Sequence, residues 1–202
     1  MTTFSLSTIP AELQWKNTPV DWQADEDGSL SLSAGAKTDW FTSPAGNVAA
    51  IINAPAALFA LPEGDFTLSA RVTVEFASDF DAGVLCFYER DDLWAKLCFE
   101  FSPQREPMVV SVVTRGLSDD CNSRVIDGNS VYLRIARIGT ALAMHYSLDG
   151  GTWHFVRHFT LENAHQLHAG FLAQSPTGQG CEVTFSDIVY RAGTLKDLRS
   201  GD

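Results

Sequence analysis

The sequence predicts an all-β sandwich or jelly roll, and three observations support this fold class. Apolar runs are short, and Gly, Pro, Asn, Asp and Ser separate them, as expected of strands joined by turns. Within the longer runs, apolar and polar residues alternate with the period of two that a strand imposes. No segment has the repeat of a long amphipathic helix. Many strands with almost no helix are typical of two packed antiparallel sheets.

These patterns place the strands in order along the chain. The predicted strands are Trp15–Asn17, Trp22–Ala24, Ser29–Ala34, Asp39–Phe41, Phe66–Glu75, Gly83–Glu89, Leu93–Phe101, Met108–Thr114, Val131–Ile138, Ala141–Ser147, Thr152–Arg157, Leu167–Gln174 and Cys181–Arg191. Residues 53–59 and the segment after Leu195 could each hold a helical turn.

The stretch from Gly83 to Phe101 reads as a hairpin with a tight turn at Asp91-Asp92. In its second strand, the residues on one face are all apolar. The other face carries an indole, an ammonium and a carboxylate, from Trp94, Lys96 and Glu100. A core excludes such a face, so we predict that it forms the floor of a binding surface.

A second hairpin, turning at Gly139-Thr140, repeats this two-faced pattern. One face is apolar and includes Tyr146, whereas the other carries Arg134 and His145. If both hairpins belong to one curved sheet, their polar faces line one groove.

Composition limits the class of protein. The 202 residues fit one domain, 1–202, with a core over about 12–190 and short terminal extensions. The net charge of −11 argues against binding to nucleic acid or to an anionic membrane surface. No apolar run approaches the ~20 residues of a membrane span. Residues 1–10 lack the basic and apolar parts of a secretory signal, so we expect a cytoplasmic protein.

Four cysteines are present, Cys86, Cys98, Cys121 and Cys181, and none forms a Cys-x-x-Cys pair. A two-residue hairpin loop would place Cys86 opposite Leu97, so that Cys86 and Cys98 point to opposite faces. We therefore expect four free thiols, as in a reducing compartment.

Several short sequence motifs, taken in order, resemble those of the DUF1349 family over about residues 12–190. They are Leu30-Ser31-Leu32, Thr38-Asp39-Trp40-Phe41, Asp79-Phe80-Asp81-Ala82-Gly83-Val84, Trp94-Ala95-Lys96-Leu97-Cys98-Phe99-Glu100, Val110-Ser111-Val112-Val113-Thr114 with Ser118-Asp119, Tyr146-Ser147-Leu148-Asp149-Gly150-Gly151-Thr152-Trp153 with Arg157, and Ser175-Pro176.

The resemblance implies a concanavalin A-like jelly-roll β-sandwich of two antiparallel sheets, one of them concave. The family is similar to the accessory sandwich of some β-xylosidases and includes a yeast protein described as a regulator of enolase. Such a fold is shared by many functions, so it implies no single activity. Two positions depart from the family's pattern. Asp120 stands where an aromatic residue is common after Ser-Asp, and a Gln is missing between Asp81 and Ala82.

Eight residues are candidates for ligand binding in the predicted groove. They are Asp39, Trp40, Trp94, Lys96, Glu100, Arg134, Tyr146 and Arg157. Aromatic rings stack on the apolar face of a sugar, and charged groups bind its hydroxyls. The alternative is a structural network, with Lys96 paired to Glu100 and Asp39 paired to an arginine. Alternation places Tyr146 on the core face, which separates it from the other seven.

Catalysis is the less favoured interpretation. A glycosidase needs two flanking carboxylates, and here Glu100 would have to meet Asp39 or Asp119 through the tertiary fold. A lyase could draw its base and its cation from Lys96, Arg134 and His145. Calcium could bind at Asp79 and Asp81, although we favour a solvated turn there.

The sequence thus predicts a non-catalytic protein that binds a carbohydrate or sugar derivative, with no cofactor and no metal. The alternatives are a protein-interaction regulator of a metabolic enzyme and a cryptic glycoside hydrolase or lyase. We expect a monomer or a weak homodimer, since an exposed edge strand could pair two copies.

Overall fold

A computed structural model describes residues 3–162 and 166–202, so the first two residues of the expected N-terminal extension lie outside the described part. The strands of the described ranges are β1 (Thr3–Phe4), β2 (Leu13–Lys16), β3 (Asp21–Ala24), β4 (Leu30–Gly35), β5 (Trp40–Phe41), β6 (Ile51–Ile52), β7 (Ala56–Ala60), β8 (Phe66–Glu75), β9 (Ala82–Arg90), β10 (Leu93–Phe101), β11 (Pro107–Arg115), β12 (Leu117–Val125), β13 (Ser130–Ile138), β14 (Ala141–Ser147), β15 (His154–Phe159), β16 (His168–Gln174) and β17 (Gly180–Ala192). In these ranges no helix is long and apolar enough to cross a membrane.

Two antiparallel sheets build the sandwich, which confirms the predicted fold class. The larger sheet has the strand order β1-β2-β7-β16-β9-β10-β11-β12, and the smaller sheet has the order β15-β14-β13-β8-β17-β4-β3. Strands β5 and β6 pair separately as a two-stranded ribbon. Because consecutive strands often lie in different sheets, the chain crosses repeatedly between the two layers, as in a jelly roll.

The main core lies between the two sheets and is built from alternate residues of each strand. Leu97 and Phe99 of β10 face it from the larger sheet, and Leu133 and Ile135 of β13 face it from the smaller sheet. All four side chains are fully buried. The apolar faces predicted for both hairpins are therefore the core faces, and their polar faces point away from the core on opposite sides of the sandwich.

This arrangement shows that the expectation of one shared groove is wrong. Strands β9 and β10 belong to the larger sheet, whereas β13 and β14 belong to the smaller one. Each sheet has one face against the core and one face away from it, so both hairpins show the same alternation. Alternation identifies the residues that share a face, but it does not identify the sheet.

A second apolar cluster covers the outer face of the larger sheet, the face directed away from the main core. Residues 36–54, which we call the cover segment, carry β5 and β6 and pack Trp40 onto this face. The Trp40 ring lies 5.8 Å from the Trp94 ring and 5.3 Å from the Tyr88 ring, measured between centroids. The Nδ2 of Asn17 binds the cover segment by donating to the carbonyls of Ile52 and Ala54.

The predicted helical turn at residues 53–59 is wrong, because this stretch contains strand β7. Four of the five β7 residues are buried, since β7 lies between β2 and β16 with the core on one side and the second cluster on the other. Tertiary packing here overrides the helix preference of alanine. After Leu195 the chain forms a single turn, in which the N–H of Gly201 donates to the carbonyl of Asp197 four residues earlier, at 2.8 Å.

The β9–β10 hairpin turns at Asp91-Asp92 as predicted, but its register differs by one residue. A β-bulge beside Trp94 pairs Trp94 with Tyr88 and Lys96 with Cys86. Cys86 and Cys98 therefore share the outer face, which corrects the expectation that they point to opposite faces. All four cysteines are free thiols, as predicted.

Strand β12 was not predicted, because its residues are mostly polar and exposed. It forms the edge of the larger sheet and pairs with β11. An edge strand need not bury either face, so it lacks the alternation that identifies a strand in sequence.

Candidate functional site

Lys96 is a buried cation on the outer face of the larger sheet. Its side chain is 3% exposed, and its Nζ lies 3.1 Å from Oδ1 of Asp39. Nζ also donates a hydrogen bond of 2.8 Å to Oε1 of Gln174, whose Nε2 donates to the carbonyl of Phe80. Burial alone would lower the pKa of Lys96, but the carboxylates around it, Asp39 first, raise this pKa overall. Lys96 is therefore charged and fixed in position.

Asp39 reaches Lys96 from the cover segment. The backbone N–H of Asp39 donates to Oδ1 of Asn53, and the backbone N–H of Asn53 donates to the carbonyl of Asp39. Asn53 also donates from Nδ2 to the carbonyl of Lys37. These bonds make the base of the cover segment rigid, so the ion pair attaches it to β10.

Glu100 lies on the same face of β10 and has a different environment. Loss of hydration raises its pKa to about 8; nearby Lys96 opposes this shift, whereas Asp120 and Asp39 add to it. Among the described residues, no hydrogen bond or ion pair to the Glu100 carboxyl is formed. At neutral pH this carboxyl is mainly protonated, so it can both donate and accept a hydrogen bond.

Asp120 completes the charged set and was not among the eight predicted residues. Val112 of β11 lies directly between Lys96 of β10 and Asp120 of β12, so the two charged side chains share the outer face. Loss of hydration raises the pKa of Asp120, while Lys96 lowers it. The sequence did carry one signal for Asp120: this chain has a carboxylate at a position where an aromatic residue is common in the family.

The two tryptophans of the predicted site support the cover segment. Trp40 and Trp94 are both fully buried. The indole of Trp40 donates to the carbonyl of Ala54 at 3.0 Å, and that of Trp94 donates to the carbonyl of Asp91 at 3.2 Å. Neither ring presents a free face in this structure. The half-buried aromatic ring beside them is Tyr88, which lines a cavity of about 230 Å³ together with Lys16 and His168.

The remaining three predicted residues lie elsewhere. Arg134 is on the outer face of the smaller sheet, on the opposite side of the sandwich from Lys96. Tyr146 packs against the main core and stacks on His154. Arg157 joins the edges of the two sheets through an ion pair with Asp119, with 2.9 Å between Nη2 and Oδ2. The structure therefore brings together five of the eight residues: Asp39, Trp40, Trp94, Lys96 and Glu100.

The positions of these residues also decide between the other interpretations of the charged set, a lyase and a structural network. Lys96 and Arg134 lie on opposite outer faces of the sandwich, so the three groups that a lyase would need do not meet. The structural network forms in part, but with different partners: Lys96 pairs with Asp39 rather than with Glu100, and an arginine, Arg157, pairs with Asp119 rather than with Asp39.

Asp81 is a buried structural group rather than part of a solvated turn. Its Oδ2 accepts hydrogen bonds from the backbone N–H groups of Ala77 and Ser78, and its Oδ1 accepts one of 2.6 Å from the Ser175 hydroxyl. Asp79 instead forms an exposed ion pair with Arg105. Within the described ranges, no group of three or more His, Cys, Asp or Glu side chains could hold a metal ion.

The raised pKa of Glu100 predicts how stability depends on pH. The folded state holds a proton on Glu100 up to about pH 8, whereas the unfolded chain releases it near 4.5. The contribution of Glu100 to the free energy of unfolding is therefore fully present below pH 4.5 and is lost as the pH rises towards 8. We expect Glu100→Gln to remove this loss, about 1–3 kcal/mol between pH 5 and 9, in urea unfolding. Glu26→Gln, in an exposed turn, should keep the wild-type dependence of the unfolding free energy on pH. If Glu100→Gln also kept this dependence, the raised pKa of Glu100 would be contradicted.

Comparisons with known proteins agree with this architecture. Over 203 residues the chain is 28% identical to "Regulation of enolase protein 1" of Saccharomyces cerevisiae, covering 96% of each sequence. The crystal structure of a functionally unknown protein from the same yeast superposes with a TM-score of 0.81 at 26% identity, covering 90% of this chain and 97% of that one.

Glycoside hydrolase structures share the fold. The GH43 BlXynB protein from Bacillus licheniformis matches with a TM-score of 0.69 at 14% identity, and xylan beta-1,4-xylosidase from Bacillus halodurans matches with 0.67 at 12%. The matches cover 87% and 95% of this chain but only 36% and 41% of those proteins. At such low identity they show the fold alone. Residues 15–192 match the family described as "Protein of unknown function (DUF1349)", and the chain therefore belongs to the DUF1349 family.

Proposed function

We propose that the protein binds a carbohydrate or sugar derivative without catalysis, on the outer face of the larger sheet at the margin of the cover segment. The observation that carries the proposal is the Glu100 carboxyl beside the charged Lys96. This carboxyl is half-buried and mainly protonated, and none of the described residues forms a hydrogen bond with it. A buried polar group normally has a hydrogen-bond partner, and a ligand hydroxyl would supply one. The fold shared with glycoside hydrolases is consistent with a sugar ligand.

Each charged group has a distinct role in this proposal. Protonated Glu100 donates to a ligand hydroxyl oxygen, and Asp120 accepts from a neighbouring hydroxyl. Lys96 is already bonded to Asp39 and Gln174, so it acts mainly as a fixed positive charge behind the ligand. Since Trp40 and Trp94 are buried, stacking on either ring requires the cover segment to move.

The test is a thermal-shift screen of mono- and oligosaccharides, sugar acids and sugar phosphates, with dissociation constants then measured by calorimetry. Ligand binding to the folded state raises the unfolding midpoint by mass action. We expect Glu100→Gln to weaken binding about tenfold, because the loss of a hydrogen bond to a ligand costs on the order of 1 kcal/mol or more. Glu26→Gln is the matched control. Unchanged affinity in Glu100→Gln would remove Glu100 from the site.

Trp94→Ala is a poor probe of the same site. Trp94 supports the cover segment, so its truncation destabilises the fold and confuses a binding defect with unfolding. Any ligand that binds should also be incubated with the protein and checked for products, because Glu100 and Asp120 are two carboxyl groups on one face.

A regulatory contact with a metabolic enzyme is the second candidate, and the full-length likeness to the yeast protein favours it. The absence of a thermal shift with any sugar, together with saturable binding of purified enolase, would replace the carbohydrate proposal by this one.

A further inference from the structure

Arg134 is a buried cation whose guanidinium finds few hydrogen-bond acceptors in the described part of the chain. It lies on the outer face of the smaller sheet, is 7% exposed, and stacks over Trp153 with its guanidinium carbon 4.1 Å from the ring centroid. Its Nε and Nη2 atoms are buried and have no partner among the described residues. Burial lowers the pKa of Arg134 to about 10. The Asp202 carboxylate compensates part of the charge of Arg134, but in the described ranges it forms no ion pair with the guanidinium. Buried donors without acceptors are costly in a folded protein, so this arrangement favours an anion that bonds to them.

A cavity of about 260 Å³ adjoins Arg134 and contains further donors. Arg191 lines the same cavity and acts electrostatically on Arg134 as a second positive charge. The hydroxyl groups of Thr67 and Ser69 also line it, and neither has a hydrogen-bond partner within the described part of the chain. Two guanidinium groups with neighbouring hydroxyls are the donors that an oxyanion requires.

Two carboxylates also line the cavity, and other groups bind both of them. Asp149 accepts hydrogen bonds of 2.8 and 2.7 Å from the backbone N–H groups of Gly151 and Thr152. Asp187 accepts one of 2.9 Å from the Tyr132 hydroxyl. In the described ranges, neither carboxylate forms an ion pair with an arginine of the cavity. Their charges reduce the affinity for an anion, but they do not occupy the guanidinium of Arg134.

The segment 195–202 lies against Arg134 and its neighbours. The carbonyl of Leu198 is 2.8 Å from Nε2 of His145, and the guanidinium of Arg199 stacks over Phe155 at 4.4 Å. Gly201 approaches Nη2 of Arg134 so closely that a Cβ at this position would collide with it. The segment therefore encloses one side of the guanidinium, and the cavity lies beside it.

We propose that this cavity is a second binding site, specific for a small oxyanion such as free phosphate or the phosphate group of a small ester. Arg134 and Arg191 bind the anion, and the hydroxyls of Thr67 and Ser69 donate hydrogen bonds to it. The Trp153 ring, stacked on Arg134, fixes the orientation of its guanidinium. The volume lies below the ~300–1,000 Å³ of typical ligand pockets, so the occupant is small. This site is on the other sheet from Glu100 and does not depend on carbohydrate binding.

The experiment is a titration of the ¹⁵N-labelled protein at low ionic strength with inorganic phosphate, glycerol 3-phosphate and glycerol, followed by NMR. We expect saturable shifts of the Trp153 indole resonance with both phosphates and none with glycerol. Arg191 is exposed, so Arg191→Gln should fold normally and weaken phosphate binding about fivefold or more through loss of one charge-assisted contact. Arg124→Gln removes an equal charge from β12 and should bind as the wild type does.

The outcomes are distinct. Tighter binding of glycerol 3-phosphate identifies an ester as the ligand, and equal binding identifies free phosphate. The absence of saturable shifts at Trp153, or equal weakening by Arg191→Gln and Arg124→Gln, would overturn the proposal. Glu100→Gln should leave phosphate binding unchanged, so failure of the carbohydrate proposal is separable from failure of this one.

Discussion

Replacing Lys96 with methionine is expected to lower the free energy of unfolding by about 3–5 kcal/mol, because it removes one partner of a buried ion pair. Methionine retains most of the length of the lysine stem, so little packing is lost. Asp39, whose side chain is only 15% exposed, would keep its charge without a counter-ion, and Oε1 of Gln174 would lose its donor. Urea unfolding at neutral pH measures the loss.

A matched control exists on the same face of the larger sheet. Lys16 forms an ion pair of 2.7 Å with Asp91, but the two side chains are 23% and 68% exposed. Lys16→Met should cost less than about 1 kcal/mol, since solvent screens an exposed pair. In the double variant Lys96→Met with Asp39→Asn, much of the stability should return, because no buried charge remains unpaired. A loss as small as that of Lys16→Met would show that solvent reaches the Lys96 pair.

The strand pattern could be read from the sequence, because alternation is a local property. The bounds predicted for Phe66–Glu75, Leu93–Phe101 and Ala141–Ser147 are those of β8, β10 and β14. The polar edge strand β12 gave no such signal. The bulge beside Trp94 also gave none, and it places Cys86 opposite Lys96.

The candidate site was predictable only in part, since it depends on contacts distant in sequence. Lys96 and Glu100 share a face by strand periodicity, and this much is local. That Asp39 rather than Glu100 pairs with Lys96 follows from the path of the cover segment. The same path buries Trp40 and Trp94, which were predicted to lie on an open surface. Arg134 was assigned to this site because both hairpins alternate alike, although they lie in different sheets.

Phe99→Ala is expected to lower the free energy of unfolding by about 3–5 kcal/mol, the usual cost of truncating a fully buried phenylalanine. Phe99 is 0% exposed and packs between the sheets, with its ring 5.1 Å from that of Phe76 in an edge-on contact. Chemical denaturation provides the measurement. Leu148→Ala, at a side chain that is 61% exposed, should change stability by no more than about 0.5 kcal/mol.

The same variant separates the core from the proposed site. Phe99 and Glu100 are adjacent in β10 but face opposite sides of the larger sheet, so Phe99→Ala removes core packing and leaves the outer face intact. Well below its unfolding midpoint, Phe99→Ala should bind any carbohydrate ligand with wild-type affinity. Glu100→Gln should instead bind it weakly and be at least as stable as the wild type at neutral pH. If Phe99→Ala instead cost less than about 1 kcal/mol, the core would not depend on this face of β10.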